Sequence, residues 1–171
     1  MLPQHEFHAV GYNSHRPLAF AADHVKRKLV DEPTVLVGHS MGGILAAGLA
    51  HELPEQVRAV ITISTPFGGS RAAAFCRWLP HFPPVLTDVS PSSGILQRLR
   101  LMKLGMPSLS IVTNGGALPT TVEPNDSIVT VSSQMATPCA KKVKLPFNHF
   151  EVLMVEKTVE TVAEFLDGLN G

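Results

Sequence analysis

The sequence predicts an α/β fold in which about five short, mostly parallel strands form a central sheet flanked by helices. Three observations lead there. Short apolar runs rich in β-branched residues recur along the chain, at 34–37, 57–64 and 108–113. Stretches with apolar residues at helical spacing fall between and after them. The first of these runs passes through Gly38-His39-Ser40-Met41-Gly42 directly into a helix of small residues. Strands alternating with helices call for right-handed crossovers and a parallel sheet.

The elements follow in order. Glu6-Phe7-His8-Ala9-Val10 reads as a first strand, ended by Gly11-Tyr12-Asn13-Ser14. Pro17 opens a helix with Leu18, Ala21, Ala22, Val25 and Leu29 at helical spacing, and Asp31-Glu32-Pro33 closes it. Residues 34–38 form the second strand, and the helix after Ser40 runs to about Leu53-Pro54. Residues 57–64 form a third, mostly buried strand, 108–113 a fourth and 142–145 a weaker fifth. The last segment, 155–169, is an amphipathic helix with Val159, Val162, Phe165 and Leu166 on one face.

One region breaks the alternation. Residues 68–107 carry Phe75, Trp78, Leu79, Phe82, Val85 and Leu86 among several prolines, too long for a loop and too broken for one helix. We expect a small lid of short helices there, its apolar side chains facing a pocket; the alternative is a surface excursion that completes the core. There is no internal repeat, and the chain reads as one domain, 1–171.

Composition narrows the classes. A length of 171 residues, 44% hydrophobic, supports one domain with a real core. A formal net charge of zero argues against nucleic acid, and the densest basic stretch, Arg98, Arg100 and Lys103, reads as a solvated helix face. The apolar stretches are too short and too glycine-rich to span a bilayer. Leu2-Pro3-Gln4-His5-Glu6 breaks any basic-then-apolar leader pattern, so a cytoplasmic location is the expectation. Cys76 and Cys139 have no metal-ligand spacing and read as free thiols.

The chemistry centres on Ser40. A serine at a sharp strand-to-helix turn must take a strained backbone, and glycine at 38 and 42 is expected to remove the clashes on either side. Its hydroxyl then stands above the sheet edge, at a helix N-terminus that favours developing negative charge. The plain alternative is a glycine-rich turn with an incidental serine. A nucleophilic serine needs a base, and the base an orienting acid. His149 lies between the last strand and the last helix, where the base belongs; His39, His51 and His81 fall elsewhere. The acid belongs in the loop after the 108–113 strand. Asp126 is the first candidate, Glu123 the second, and Asp88 a lesser one on the wrong side of that strand.

These residues resemble a known family. Gly38-His39-Ser40-Met41-Gly42-Gly43, Ser64-Thr65-Pro66-Phe67-Gly68-Gly69-Ser70, the Asp126-Ser127-Ile128-Val129 element and the His149 tail are similar to bacterial lipases and esterases of the α/β-hydrolase superfamily. The resemblance implies a minimal form of that fold and hydrolysis of a small-molecule or lipid carboxylic ester through an acyl-serine, with neither metal nor cofactor. It makes Ser40 the nucleophile, His149 the general base and acid, Asp126 its partner, and the Met41 N–H an oxyanion donor. His39, Phe67 and Trp78 are the expected substrate contacts. Thioesterase or acyltransferase chemistry would use the same triad.

The resemblance also implies an earlier strand whose loop gives a second oxyanion donor, and residues 6–10 match the strand after it. Loss of one such donor costs ~2.7–4 kcal/mol, roughly 100- to 1000-fold in rate. Either the 6–10 strand moves beside the 34–38 strand, with Tyr12 or a nearby N–H as the donor, or a second copy covers the gap as a homodimer. Alternatively the sequence is a piece of a longer product. A catalytically weak or inactive binding module is the competing functional reading.

Overall fold

The computed structural model describes residues 6–13, 16–29, 32–70, 88–119 and 121–169. Its centre is a four-stranded sheet in sequential order, β1 (Thr34–His39), β2 (Val57–Ile63), β3 (Ser108–Thr113) and β4 (Lys141–Leu145). All three pairings are parallel. The α/β architecture is as the alternation predicts, with four strands in place of five. β2 and β3 are buried almost throughout because neighbours cover both faces, so their sequences run apolar without alternation. β4 is an outer strand, and its lysines 141, 142 and 144 point charge along an edge that would otherwise invite pairing.

The helices make two unequal layers. On one face sit α1 (Leu18–Lys26), α2 (Met41–Glu52) and α3 (Gly94–Leu101), sharing a core of Leu18, Val25, Ile44, Leu49, Phe67 and Leu96. α2 is apolar all round and rich in glycine and alanine, which suits a helix pressed between sheet and neighbours. On the other face α5 (Glu156–Asp167) lays Phe165 and Leu166 over Ala59, Ile61, Leu109 and Ile111. Burying each such side chain is worth about 1.5–3 kcal/mol. A short helix, α4 (Val131–Met135), and a 3₁₀ turn, Glu151–Leu153, complete the described elements.

Two expectations change here. Residues 6–10 form no strand: they pair with neither β1 nor any other described strand, so the idea that they move beside β1 is wrong. Instead a cleft of about 1090 Å³ separates them from the outer edge of β1, and Val37 on that edge is 56% exposed. Of the proposed lid, 71–87, including Trp78 and Cys76, lies outside the described residues. Its later part supplies α3, whose Leu96 and Leu99 join the core shared with α1 and α2. Asp88 has a structural use, its carboxylate accepting the Leu18 N–H (2.8 Å) at the start of α1.

Among the described residues no helix is long and apolar enough to cross a membrane, and no cluster of three or more His, Cys, Asp and Glu is placed to hold a metal. Cys139 is a buried free thiol beside the Thr62 hydroxyl.

Candidate active site

Ser40 ends β1 and begins α2 with φ 53° and ψ −123°, a backbone conformation that L-residues avoid. Hydrogen bonds on both sides hold it there: the Ser40 N–H donates to Ile63 (2.8 Å) and the Ser40 carbonyl accepts from Gly43 (3.0 Å). A side chain at position 38 would run into the backbone of Gly42, as expected. The second tight position is different from the one expected. Position 42 faces only the Tyr12 hydroxyl, 3.9 Å from where a Cβ would stand, whereas one at 43 would collide with the Thr65 side chain. The first-turn N–H of Met41 has no intrahelical acceptor and points from the N-terminus of α2.

Asp126 and His149 meet although 23 residues separate them. The His149 N–H donates to the Asp126 carbonyl (2.8 Å), and its Nδ1 lies 2.8 Å from Asp126 Oδ2. The two side chains are 3% and 0% exposed, so this pair is sealed from solvent. Asp126 accepts three further kinds of donor. Oδ2 takes the Thr113 hydroxyl (2.7 Å) and Gln134 Nε2 (3.2 Å), and Oδ1 takes the N–H groups of Ile128 (3.0 Å) and Val129 (2.7 Å). Burial pushes this carboxyl up, but the hydrogen bonds from His149, Val129 and Thr113 outweigh it and hold it below the usual carboxylate range. Asp126 is therefore a carboxylate at neutral pH. His149 must carry its proton on Nδ1, which leaves Nε2 as an acceptor.

The loops explain the placement. Asn125 closes the Asp126 turn by accepting the Ser127 N–H (2.9 Å), and Ser127 takes φ 81°. Around His149, Asn148 Oδ1 accepts the N–H groups of Phe150 (3.0 Å) and Glu151 (2.8 Å), while the Glu151 carboxylate accepts the Asn148 N–H (3.2 Å). This reciprocal cap was legible as Asn148-x-x-Glu151 but was not read. Gln134 was also missed. Fully buried on α4, it accepts the Thr113 N–H (2.8 Å) and donates to Thr113 O (2.9 Å) and Asp126. Glu123, the second acid candidate, instead accepts the Ser132 N–H (2.9 Å) on α4.

The remaining expected residues divide. His39, next to Ser40, has Nε2 2.8 Å from the His149 carbonyl oxygen, and the two imidazoles lie 4.7 Å apart between centroids. Burial lowers the His39 imidazole below its usual range and His149 adds to this, against its hydrogen bond and the charge of Asp126. Tyr12 is half-buried beside Gly42, and burial raises its phenol, so it stays a donor. Phe67 is 0% exposed in the core under α1, α2 and α3, which removes it as a substrate contact. Ser40 and His149 do not hydrogen-bond each other here; such contacts are often long without substrate and tighten when it binds.

Known proteins match this fold. The mature lipase BlEst2 of Bacillus licheniformis superposes with a TM-score of 0.60 at 19% identity, over 89% of this chain and 71% of that one. A metagenomic carboxyl esterase, MGS0156, gives 0.61 at 16% identity, over 80% of this chain and 52% of its own. A monoacylglycerol lipase of Paleococcus ferrophilus gives 0.57 at 17% identity, over 93% and 77%. At these identities the likeness is one of fold. No curated protein matches the sequence. The profile of one hydrolase family covers residues 14–128, more than half of the chain and including the Ser40 turn. The chain belongs to that family, described as serine aminopeptidase, S33.

Proposed function

We propose that this chain hydrolyses carboxylic esters through an acyl-serine intermediate, with Ser40 as nucleophile, His149 as base and acid, and Asp126 as the orienting carboxylate. One observation carries the reading: a sealed Asp126–His149 pair whose histidine touches the residue beside a serine held at a strained helix N-terminus. Ser40 Oγ attacks the ester carbonyl carbon while its proton passes to His149 Nε2. The imidazolium so formed is stabilised by Asp126 through Nδ1–H. Negative charge on the carbonyl oxygen meets the Met41 N–H and the N-terminus of α2. His149 then gives its proton to the leaving alcohol. Water, deprotonated by the same imidazole, releases the acid and restores Ser40.

Tyr12 is the second oxyanion donor in this reading, supported by its hydroxyl standing beside Gly42 at the start of α2. The test is hydrolysis of p-nitrophenyl esters, acetate to palmitate, by this chain and by Ser40→Ala. The reading requires activity that vanishes in the variant while cooperative melting persists. Equal background rates from two cooperatively melting proteins would leave a binding module. An aminoacyl p-nitroanilide belongs beside the esters because the family description names an aminopeptidase. Faster cleavage of that amide would replace the ester as the substrate class.

A further inference from the structure

We infer that His39 is a positioning residue: it fixes the backbone and ring of His149 relative to Ser40, and it is not a contact for the substrate. The inference rests on the reading of His149 as the base and concerns how that base is held.

The His149 carbonyl is an acceptor, so the His39 nitrogen facing it at 2.8 Å must carry a proton. Near neutral pH this makes His39 the Nε2–H tautomer, since burial disfavours its charged form. The bond joins the last residue of β1 to a residue 110 positions away, in the loop after β4. β1 and β4 are the two outer strands, so no ladder hydrogen bond couples them. The His39 side chain therefore ties the end of β1 to the loop that follows β4.

Ring packing completes the clamp. His149, His39 and Phe150 form a triangle of rings, with His149 at 4.7 Å and 52° from His39 and at 5.2 Å and 88° from Phe150, and those two rings 6.3 Å apart. His149 is thus held at three points: its Nδ1 by Asp126, its backbone carbonyl by His39, and its ring by tilted and edge contacts with His39 and Phe150. A donor spent on a backbone carbonyl is unavailable to a substrate. The neighbouring position carries the nucleophile, so a shift of the His149 loop changes the Ser40–His149 approach at once. A misplacement of about 1 Å in such a constellation costs roughly 100-fold in rate.

The test compares His39→Phe, which keeps a ring and loses the donor, with His39→Gln, whose amide can still reach the carbonyl. Two readouts are used on cooperatively melting protein: kcat and KM for p-nitrophenyl butyrate, and the proton NMR signal of the His149 Nδ1–H held by Asp126. His39→Phe is expected to lower kcat roughly 10- to 100-fold with KM little changed, and to broaden or move that signal. His39→Gln restores both. A raised KM with unchanged kcat would overturn the inference and return His39 to the substrate. Equal impairment of both variants would overturn it too, since the donor would then be irrelevant. If His39→Phe does not fold, His39→Gln decides alone: a lost Nδ1–H signal in that variant refutes the clamp. The NMR readout stands even if the wild-type chain cleaves no ester, in which case the Ser40 reading fails and the clamp is judged separately.

Discussion

Replacing Asp126 by Asn changes one oxygen to an amide nitrogen, and the structure dictates which. The N–H groups of Ile128 and Val129 both donate to Oδ1, so the carbonyl oxygen of the new side chain stays there. The NH₂ must then face the three donors that shared Oδ2, namely His149 Nδ1, the Thr113 hydroxyl and Gln134 Nε2. Thr113 can turn its hydroxyl to Ser64, 2.7 Å away. Gln134 cannot reverse, because its oxygen accepts from Thr113 N and its nitrogen donates to Thr113 O. One buried donor is left facing another, at a cost of ~1–3 kcal/mol. For a chain of this size that lowers Tm by roughly 2–12 °C, at about 2–4 °C per kcal/mol. His149 can adapt by moving its proton to Nε2, which in the proposed mechanism would remove the base for Ser40. In another Ser-His-Asp enzyme the same exchange lowers kcat by about 10⁴-fold, equivalent to ~5.4 kcal/mol at 1.36 kcal/mol per decade. Steady-state hydrolysis of p-nitrophenyl butyrate and a thermal melt, both at neutral pH, measure the two effects. Asp126→Asn with a kcat within about threefold of wild type, a difference of ~0.7 kcal/mol, would refute the assigned role. An unchanged Tm would refute the donor conflict.

Other outcomes follow from the same contacts. Gln134→Met strands the buried Thr113 N–H and takes a donor from Asp126, so a urea midpoint should fall by the equivalent of ~2–6 kcal/mol, at about 1–3 for each of the two groups. Two glycines of α2 should respond with opposite signs in a thermal melt. Gly43→Ala meets the Thr65 side chain and loses ~1–3 kcal/mol, whereas Gly48→Ala meets nothing within 4 Å and gains about 0.5–1 kcal/mol. Acid should weaken the fold through Asp126. Its folded carboxyl lies below the usual range, so its contribution is complete above pH ~3.9 and disappears as pH falls through the lower folded value. A urea titration should show this decline flattened in Asp126→Asn. His39 acts in a higher window: its folded imidazole lies below the usual range, so the unfolded chain takes the proton first and stability falls as pH drops below ~6.5. His39→Gln should reduce the loss between neutral and mildly acidic pH. An unaltered slope would show that the His39 ring, which faces His149 and Asp126, does not titrate differently on folding.

The architecture was legible in sequence wherever local chemistry and burial agree. Apolar β-branched runs at 34–37, 57–64 and 108–113 can only be buried as strands between helices, and the Ser40 turn announces itself because a glycine is needed at position 38. Asp126 and His149 were legible as candidates through chain order, and the structure does bring them together. What sequence misjudged are features decided by neighbours that are distant in the chain. Residues 6–10 alternate like a strand, yet a strand exists only if a partner offers its ladder, and none of the described strands does. Phe67 reads as a pocket residue and is a core residue, because α3, some thirty positions later, covers it. Gln134 has no local signal at all: a glutamine on a short helix looks solvated until Thr113 and Asp126 arrive around it. His39 passes for the variable residue of a turn, and its task appears only when the chain returns 110 residues later with a carbonyl to hold. Periodicity and turn chemistry are properties of a few consecutive residues, so sequence alone determined the four strands of the sheet, the helices α1, α2 and α5, and the serine turn. Burial, hydrogen-bond partners and charge states belong to pairs brought together by the fold, and those only the tertiary structure decided.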